Sequence, residues 1–107
     1  MQNRILMAGS VIMLGACTLS GAPTERMAVA RNAVANAEAA GAAERAPVEF
    51  ERARERLGRA ETAMRRRRYV EAEQFADEAA IDARLAIIRA NAASAGVYVP
   101  SEAGAAR

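Results

Sequence analysis

The chain has 107 residues, with 15 arginines, 13 acidic residues, 29 alanines and no lysine, histidine or tryptophan. This length allows one domain at most, since domains usually take roughly 100–200 residues. The net charge of +2 and the scarcity of aromatic residues argue against nucleic-acid binding. One cysteine without histidine cannot build a Cys/His zinc site, and base-activated nucleophiles and Schiff-base chemistry are missing. We therefore predict a non-catalytic protein without metal, cofactor or small-molecule substrate.

The N-terminal 17 residues differ in character from the rest of the chain. A short basic start at residues 1–4 precedes an apolar stretch at residues 5–16. As a helix this stretch spans only about 18 Å, less than the hydrocarbon core of about 30 Å. An apolar stretch of this length is typical of a signal peptide. It ends in a segment that resembles the lipobox of bacterial lipoproteins, Leu14, Gly15, Ala16 and Cys17.

The lipobox resemblance implies that residues 1–16 are removed, that the Cys17 thiol receives a diacylglycerol and that the new amino group is acylated. The alternative is an ordinary secretory signal cut after residues 20–22, but Pro23 would follow that cut unfavourably. Several acyl chains anchor a protein stably in its membrane. In such lipoproteins an aspartate after the cysteine retains the protein in the inner membrane. Thr18 stands there instead, so we expect an outer-membrane lipoprotein that faces the periplasm.

Residues 17–23 are predicted to be the lipidated cysteine and a tether, followed by an all-α domain at residues 24–95, a small three-helix bundle. The first helix is predicted over residues 24–41, with Thr24 as its N-cap. Its apolar positions step by three and four residues along one helical face, at Met27, Ala30, Val34, Ala37 and Gly41. Gly41 and Pro47 are expected to end it.

The second helix is predicted over residues 47–67, because Pro47 suits a first helical position. Its apolar face repeats the same steps, at Phe50, Ala53, Leu57, Ala60 and Met64. Glutamates and arginines fill the positions between them. Pairs such as Glu55–Arg59 attract at helical spacing, so these charges predict a solvated outer face.

The third helix is predicted over residues 70–95 and has two apolar faces. One face contains alanines alone, at Ala72, Ala76, Ala79, Ala83, Ala86 and Ala90. It is expected to pack against the second helix, since alanines let helix backbones approach closely. Ile81, Leu85 and Ile88 fall on the opposite side. Either the first helix covers this second face, or the face stays partly exposed and binds another chain.

Four consecutive arginines, Arg65, Arg66, Arg67 and Arg68, separate the last two helices without a helix-breaking residue. Either the chain turns here, or residues 47–95 form one long helix. The run is a candidate contact for lipid or lipopolysaccharide phosphates, which suit the forked guanidinium group. Alternatively it is a solvated helix end, neutralised by the acidic residues that follow: Glu71, Glu73, Asp77, Glu78 and Asp82.

The last residues, 96–107, are expected to form a mostly disordered tail. Gly96 is predicted to be the C-terminal cap of the third helix, and Val97 its hydrophobic contact. Residues 97–99 also admit a peptide-recognition role.

A family resemblance extends over residues 24–95. The pattern has an alanine-rich helix ending in residues 40–42, then Ala46-Pro47, then Tyr69 and alanines up to Asp82-Ala83. It resembles the domain of unknown function 4398 family. That resemblance implies a helical fold and a cell-envelope context, but no established activity. Family members often have a glycine in the turn before the tyrosine, where this sequence has Arg68. Tyr69 and Ala72 also resemble the turn of a tetratricopeptide repeat, although one unit cannot form an array.

These observations predict an outer-membrane lipoprotein whose helical domain is an adaptor or structural partner in the cell envelope. Its expected partners are the membrane, through the lipid anchor, and an envelope protein or a second copy, through Ile81, Leu85 and Ile88. The alternative function is binding of an anionic lipid or lipopolysaccharide surface through Arg65–Arg68. An enzyme would have to depend on carboxylates alone, such as Glu73 and Asp77.

Overall fold

The computed structural model describes residues 21–97, which form four helices and, within that range, no strand. The helices are α1 (Thr24–Ala39), the single turn α2 (Ala42–Arg45), α3 (Pro47–Arg65) and α4 (Tyr69–Ser94). α4 packs against the other three helices, most extensively against α3 and then against α1. The predicted all-α fold is therefore confirmed.

Two groups of buried residues show how the three long helices run. Near the start of α1, Met27 packs with Ala60 of α3 and Ala76 of α4. The second group joins the other ends of the same helices and includes Val34, Phe50 and Ala86. α1 and α4 are therefore parallel, and α3 is antiparallel to both, as in an up-down-up bundle.

One face of α4 carries only methyl side chains, and every one of them is fully buried: Ala72, Ala76, Ala79, Ala83, Ala86 and Ala90. We call this face the alanine seam. Because α4 contributes only methyl groups to this interface, the larger buried side chains that pack against it, Met27, Val34 and Phe50, come from α1 and α3. Larger apolar side chains contribute little to the interior, since those buried among residues 21–97 are Met27, Val34 and Phe50.

The end of the first helix differs from the prediction. α1 ends at Ala39 rather than at residue 41, and Gly41 follows with φ 75°, a left-handed conformation that glycine adopts without strain. The next residues form α2 instead of a loop, and Ala42 and Ala46 are buried against the bundle. Thr24 is not the N-cap. Pro23 occupies that position, and no side chain caps the helix.

A turn separates α3 from α4, so the alternative of one continuous helix is wrong. The predicted boundaries, residues 67 and 70, shift to Arg65 and Tyr69. Arg67 has φ 59°, and its N–H donates to the Met64 carbonyl at 3.1 Å. The N–H of Arg68 donates to the Ala63 carbonyl at 2.8 Å. This pair of bonds is a Schellman motif, in which the left-handed residue is usually glycine.

The same motif ends α4, here with the expected glycine. Gly96 has φ 75°, and the N–H of Val97 donates to the Ala92 carbonyl at 2.8 Å. The Val97 side chain is exposed rather than packed on the helix end. The predicted disordered tail beyond Val97, including Tyr98 and Val99, lies outside the described residues.

The left-handed arginine predicts a stabilising substitution. Replacing Arg67 by glycine (R67G) removes the steric penalty of a Cβ atom in this conformation, about 1 kcal/mol, and leaves the two turn hydrogen bonds intact. In a chain of this size the thermal midpoint should rise by about 4–8 °C. Thermal unfolding followed by circular dichroism measures the shift.

The matched control is Arg66→Gly, which removes an equal charge from a residue with φ −88°. Because that backbone carries no left-handed strain, R66G should leave the midpoint unchanged or lower it. An equal rise in both variants would show that charge, rather than backbone strain, limits the stability of this turn.

Candidate functional site

The sequence-predicted residues within the described part of the chain lie on two surfaces. One is the arginine turn (Arg65–Arg68), and the other is the outer face of α4 (Ile81, Leu85 and Ile88). Within residues 21–97, no group of three or more acidic or cysteine side chains is arranged to hold a metal ion. No helix of that same part is long and apolar enough to cross a membrane.

The predicted lipid-attachment site precedes the described residues. Leu14, Gly15, Ala16 and Cys17 all lie in residues 1–20, so the lipobox remains a prediction from the sequence. The described chain begins at Gly21, close before the first residue of α1.

All four side chains of the arginine turn are exposed. Arg65 donates to the Thr62 hydroxyl at 3.1 Å. Arg68 lies 3.8 Å from the Glu71 carboxylate, and both side chains are more than half exposed. Within residues 21–97, Arg66 and Arg67 make no side-chain hydrogen bond or ion pair. Positive charge therefore remains uncompensated at this turn.

The arginine turn and the start of α1 lie at the same end of the bundle. Arg26, in the first turn of α1, pairs with Glu73 at 3.3 Å and with Asp77 at 2.6 Å. Both carboxylates belong to the first third of α4, which begins directly after the arginine turn. Met27 packs near Met64 at the end of α3. The structure thus brings together two segments that are about forty residues apart in sequence.

The acidic residues of α4 do not neutralise the arginine run as a group, so that prediction is wrong for most of them. Glu71 alone among the five pairs with the run within the described residues. Glu73 and Asp77 bind Arg26 of α1, while Glu78 and Asp82 bind Arg56 of α3. These four carboxylates join helices to one another.

A groove of about 560 Å³ lies beside the arginine turn, between the last half of α3 and the beginning of α4. Its lining includes three arginines of the turn, Arg59, and the half-buried ring of Phe75. The guanidinium of Arg59 lies over that ring, 5.8 Å from its centre. Sequence reasoning did not single out Arg59 or Phe75. The available signal for Phe75 was its i, i+4 spacing from Glu71. This spacing places the ring on the same side of α4 as a carboxylate that follows the arginine run closely.

The outer face of α4 remains uncovered by α1. Ile81 and Ile88 are 60% and 59% exposed, and Leu85 is half-buried. α1 and α3 both contact the side of α4 that carries the alanine seam, so neither helix reaches the opposite side. The prediction that the first helix covers these residues is therefore wrong, and the alternative, an exposed face, is what the structure has.

Two ion pairs with buried carboxylates join α3 to α4, and sequence reasoning missed both. Glu49 lies 2.9 Å from Arg89, with 7% and 11% of their side chains exposed. The carboxylate of Asp82, 5% exposed, accepts a 2.6 Å hydrogen bond from Arg56 and lies 3.8 Å from Arg52. The arginine-rich side of α3 is thus not solely a solvated face. Arg52 and Arg56 hold α4.

Comparison with known proteins identifies the domain. The model of the family described as Domain of unknown function (DUF4398) matches residues 25–97, the length of the bundle from α1 to the end of α4. The resemblance seen in the sequence is therefore confirmed. No curated protein matches the chain. No solved structure matches it.

The Glu49–Arg89 pair predicts a strong dependence of stability on one carboxylate. Glu49→Gln keeps the shape of the side chain but removes the buried negative charge that faces the Arg89 guanidinium at 2.9 Å. Breaking such a buried pair costs about 3 kcal/mol or more. The thermal midpoint should fall by about 12 °C or more, by circular dichroism.

Glu51→Gln is the control, because it removes the same charge from an exposed pair in the same helix. Glu51 lies 3.4 Å from Arg54, with both side chains mostly exposed. Such surface pairs contribute at most about 1 kcal/mol. Equal effects of the two substitutions would contradict the structural role given to Glu49.

Proposed function

The chain belongs to the domain of unknown function 4398 family, and we propose that it is a non-catalytic outer-membrane lipoprotein that binds an anionic lipid surface through its arginine turn. In this proposal Cys17 carries the diacylglycerol and N-acyl lipid, and the bundle faces the periplasm. The observation that carries the proposal is the position of the arginine turn at the same end of the bundle as the start of α1.

The length of the tether supports contact between this end and the membrane. Residues 18–23 reach at most about 20 Å when fully extended. An anchor at Cys17 therefore keeps the start of α1, and the arginine turn beside it, within that distance of the lipid. The start of α3 lies at the other end of the 19-residue helix, about 28 Å from the arginine turn.

The charge of the turn supports an anionic surface as the partner. Arg66 and Arg67 have no side-chain partner within residues 21–97, so their guanidinium groups are available to phosphate oxygens in bidentate geometry. Each arginine near an anionic membrane contributes about 1 kcal/mol. The same attraction is screened by salt, because these side chains are exposed.

The exposed outer face of α4 favours a second role, the predicted one of a helical adaptor. Ile81 and Ile88 are separated by seven residues, two helical turns, and Leu85 lies between them on the same face. Both isoleucines are more than half exposed, and a group of exposed apolar side chains is typical of an interaction surface. Such spacing fits the apolar face of one helix from an envelope protein. Both roles are compatible, because the two surfaces do not share residues.

The proposed membrane contact predicts which part of the bundle meets lipid. The chain contains no tryptophan, so one introduced tryptophan reports its own distance from the membrane. The full chain is purified, the mass of its N-terminal peptide checks acylation at Cys17, and the protein is reconstituted into vesicles of anionic lipid brominated near the headgroup. We expect bromine to quench the fluorescence of the Tyr69→Trp variant strongly. The Val48→Trp variant, at the opposite end of α3, should not be quenched.

Charge variants test whether the arginine turn, rather than the overall positive charge of the domain, holds the bundle at the lipid surface. Adding R66Q and R67Q to the Tyr69→Trp variant should remove most of the quenching, since the two arginines together contribute about 2 kcal/mol. The control pair R54Q and R84Q removes the same charge elsewhere on the domain, and the fluorescence of this variant should still be quenched. Equal quenching at positions 48 and 69, or no effect of R66Q/R67Q, would overturn the proposal.

The adaptor role predicts a crosslink from the outer face of α4. A photo-crosslinking residue at Leu85 in intact cells should form one discrete adduct heavier than twice the chain's own mass. Ile81→Glu with Ile88→Glu should abolish that adduct, because a charge buried in an apolar contact is costly. Val48→Glu, which charges an exposed valine on another helix, should not. An adduct of twice the chain's mass would indicate self-association instead, and no adduct would exclude the adaptor role.

A further inference from the structure

We propose that the groove beside the arginine turn binds one phosphate-bearing lipid. In this arrangement Arg65 and Arg66 bind the phosphate, and the first apolar atoms of the lipid pack against Phe75. The inference rests on the proposed function and deepens it: it names a single bound lipid where the proposed function requires only attraction to a charged surface.

The size and openness of the groove fit such a ligand. Its volume of about 560 Å³ lies within the usual range of small-molecule sites, roughly 300–1,000 Å³. Gly58 forms part of the α3 side of the groove, and a Cβ atom built there would meet no atom within 4 Å. The middle of the α3 side of the groove is therefore open. The acyl chain of a lipid whose phosphate is bound by Arg65 and Arg66 would run along it.

The charges of the groove leave two arginines for a ligand. Each carboxylate of the lining already pairs with an arginine: Glu55 with Arg59 at 2.8 Å, Glu61 with Arg31 at 3.4 Å and Glu71 with Arg68 at 3.8 Å. Of the remaining cations, Arg65 contacts a neutral hydroxyl and Arg66 makes no side-chain bond within residues 21–97. Their combined positive charge is that required by one phosphate group.

The apolar part of the groove distinguishes a lipid phosphate from a free one. Phe75 lines the groove and is half-buried, so part of this apolar side chain remains accessible. Inorganic phosphate would leave this surface in contact with water. A glycerol ester and the first methylenes of an acyl chain would cover it, with the phosphate still on Arg65 and Arg66. The location beside the start of α1 places the groove at the end proposed to meet the membrane.

The test measures binding of short-chain lipids to the full chain in a non-ionic detergent. Dihexanoyl phosphatidic acid is titrated and the amide resonances of Gly58 and Thr62 are followed by NMR. Dihexanoyl phosphatidylcholine, with its positive choline, and inorganic phosphate are titrated in parallel. We expect saturable shifts with phosphatidic acid, and affinities at least about tenfold weaker for the other two probes.

Two substitutions test the groove without unfolding the helix. Gly58→Leu fills the groove and removes no charge, and leucine is a better helix former than glycine. We expect it to weaken phosphatidic acid binding at least about tenfold, as should R65Q with R66Q. R54Q with R84Q is the matched charge control and should bind as the natural chain does. For Gly58→Leu, the resonances of Thr62 and of the α4 residues report binding in place of Gly58.

The outcomes separate this inference from the proposed function. Unchanged binding in Gly58→Leu, or inorganic phosphate binding as tightly as phosphatidic acid, would overturn the lipid site. If the Tyr69→Trp variant is nevertheless quenched by anionic vesicles, the proposed surface binding stands alone. If that quenching is also absent, both fail. Loss of phosphatidic acid binding in Gly58→Leu together with strong vesicle quenching would support both.

Discussion

The alanine seam of α4 is the constraint on which the rest of this structure depends. Six methyl side chains along one face bring α4 into close contact with α3 and α1. Close contact of this kind buries little apolar area per residue, because a methyl group is the smallest side chain that can be buried. Among the larger apolar residues of α4, Phe75 and Ile87 pack only partly against the interior. Ile81 and Ile88 lie on the side of α4 away from the seam and stay exposed.

A thin apolar interior gives charged contacts a larger role in the position of each helix. Glu49–Arg89 joins the start of α3 to α4, Asp82–Arg56 joins the middle of α3 to α4, and Arg26–Asp77 joins α1 to α4. Buried ion pairs contribute less net stability than their geometry suggests, because both charges lose water. Their effect is on alignment: a helix shifted by one turn along the seam would still bury alanines, but it would leave these charges unpaired.

The same packing separates the surfaces on which the functional proposals rest. Since the carboxylates of α4 pair mainly with Arg26 and Arg56, the arginine turn keeps its charge. Because the seam directs α1 and α3 to one side, the opposite side of α4 stays apolar and open. The functional proposals assign phosphates to the first surface and a helix of another protein to the second. A tether that enters at the arginine end would orient both relative to a membrane.

The sequence by itself determined the three long helices, the alanine seam and the faces of Met27 and Phe50, because helical periodicity is a local property of the chain. It also carried the family resemblance. The turn at Arg67 was left open, since no glycine marks it; the hydrogen bonds to Ala63 and Met64 hold arginine in the left-handed conformation. Only the tertiary structure decided that Arg26 binds Asp77, 51 residues away, that α1 leaves Ile81 uncovered, and that Phe75 lies in a groove with Arg66. Each of these depends on which sides of two helices meet. Spacing along one helix does not contain that information.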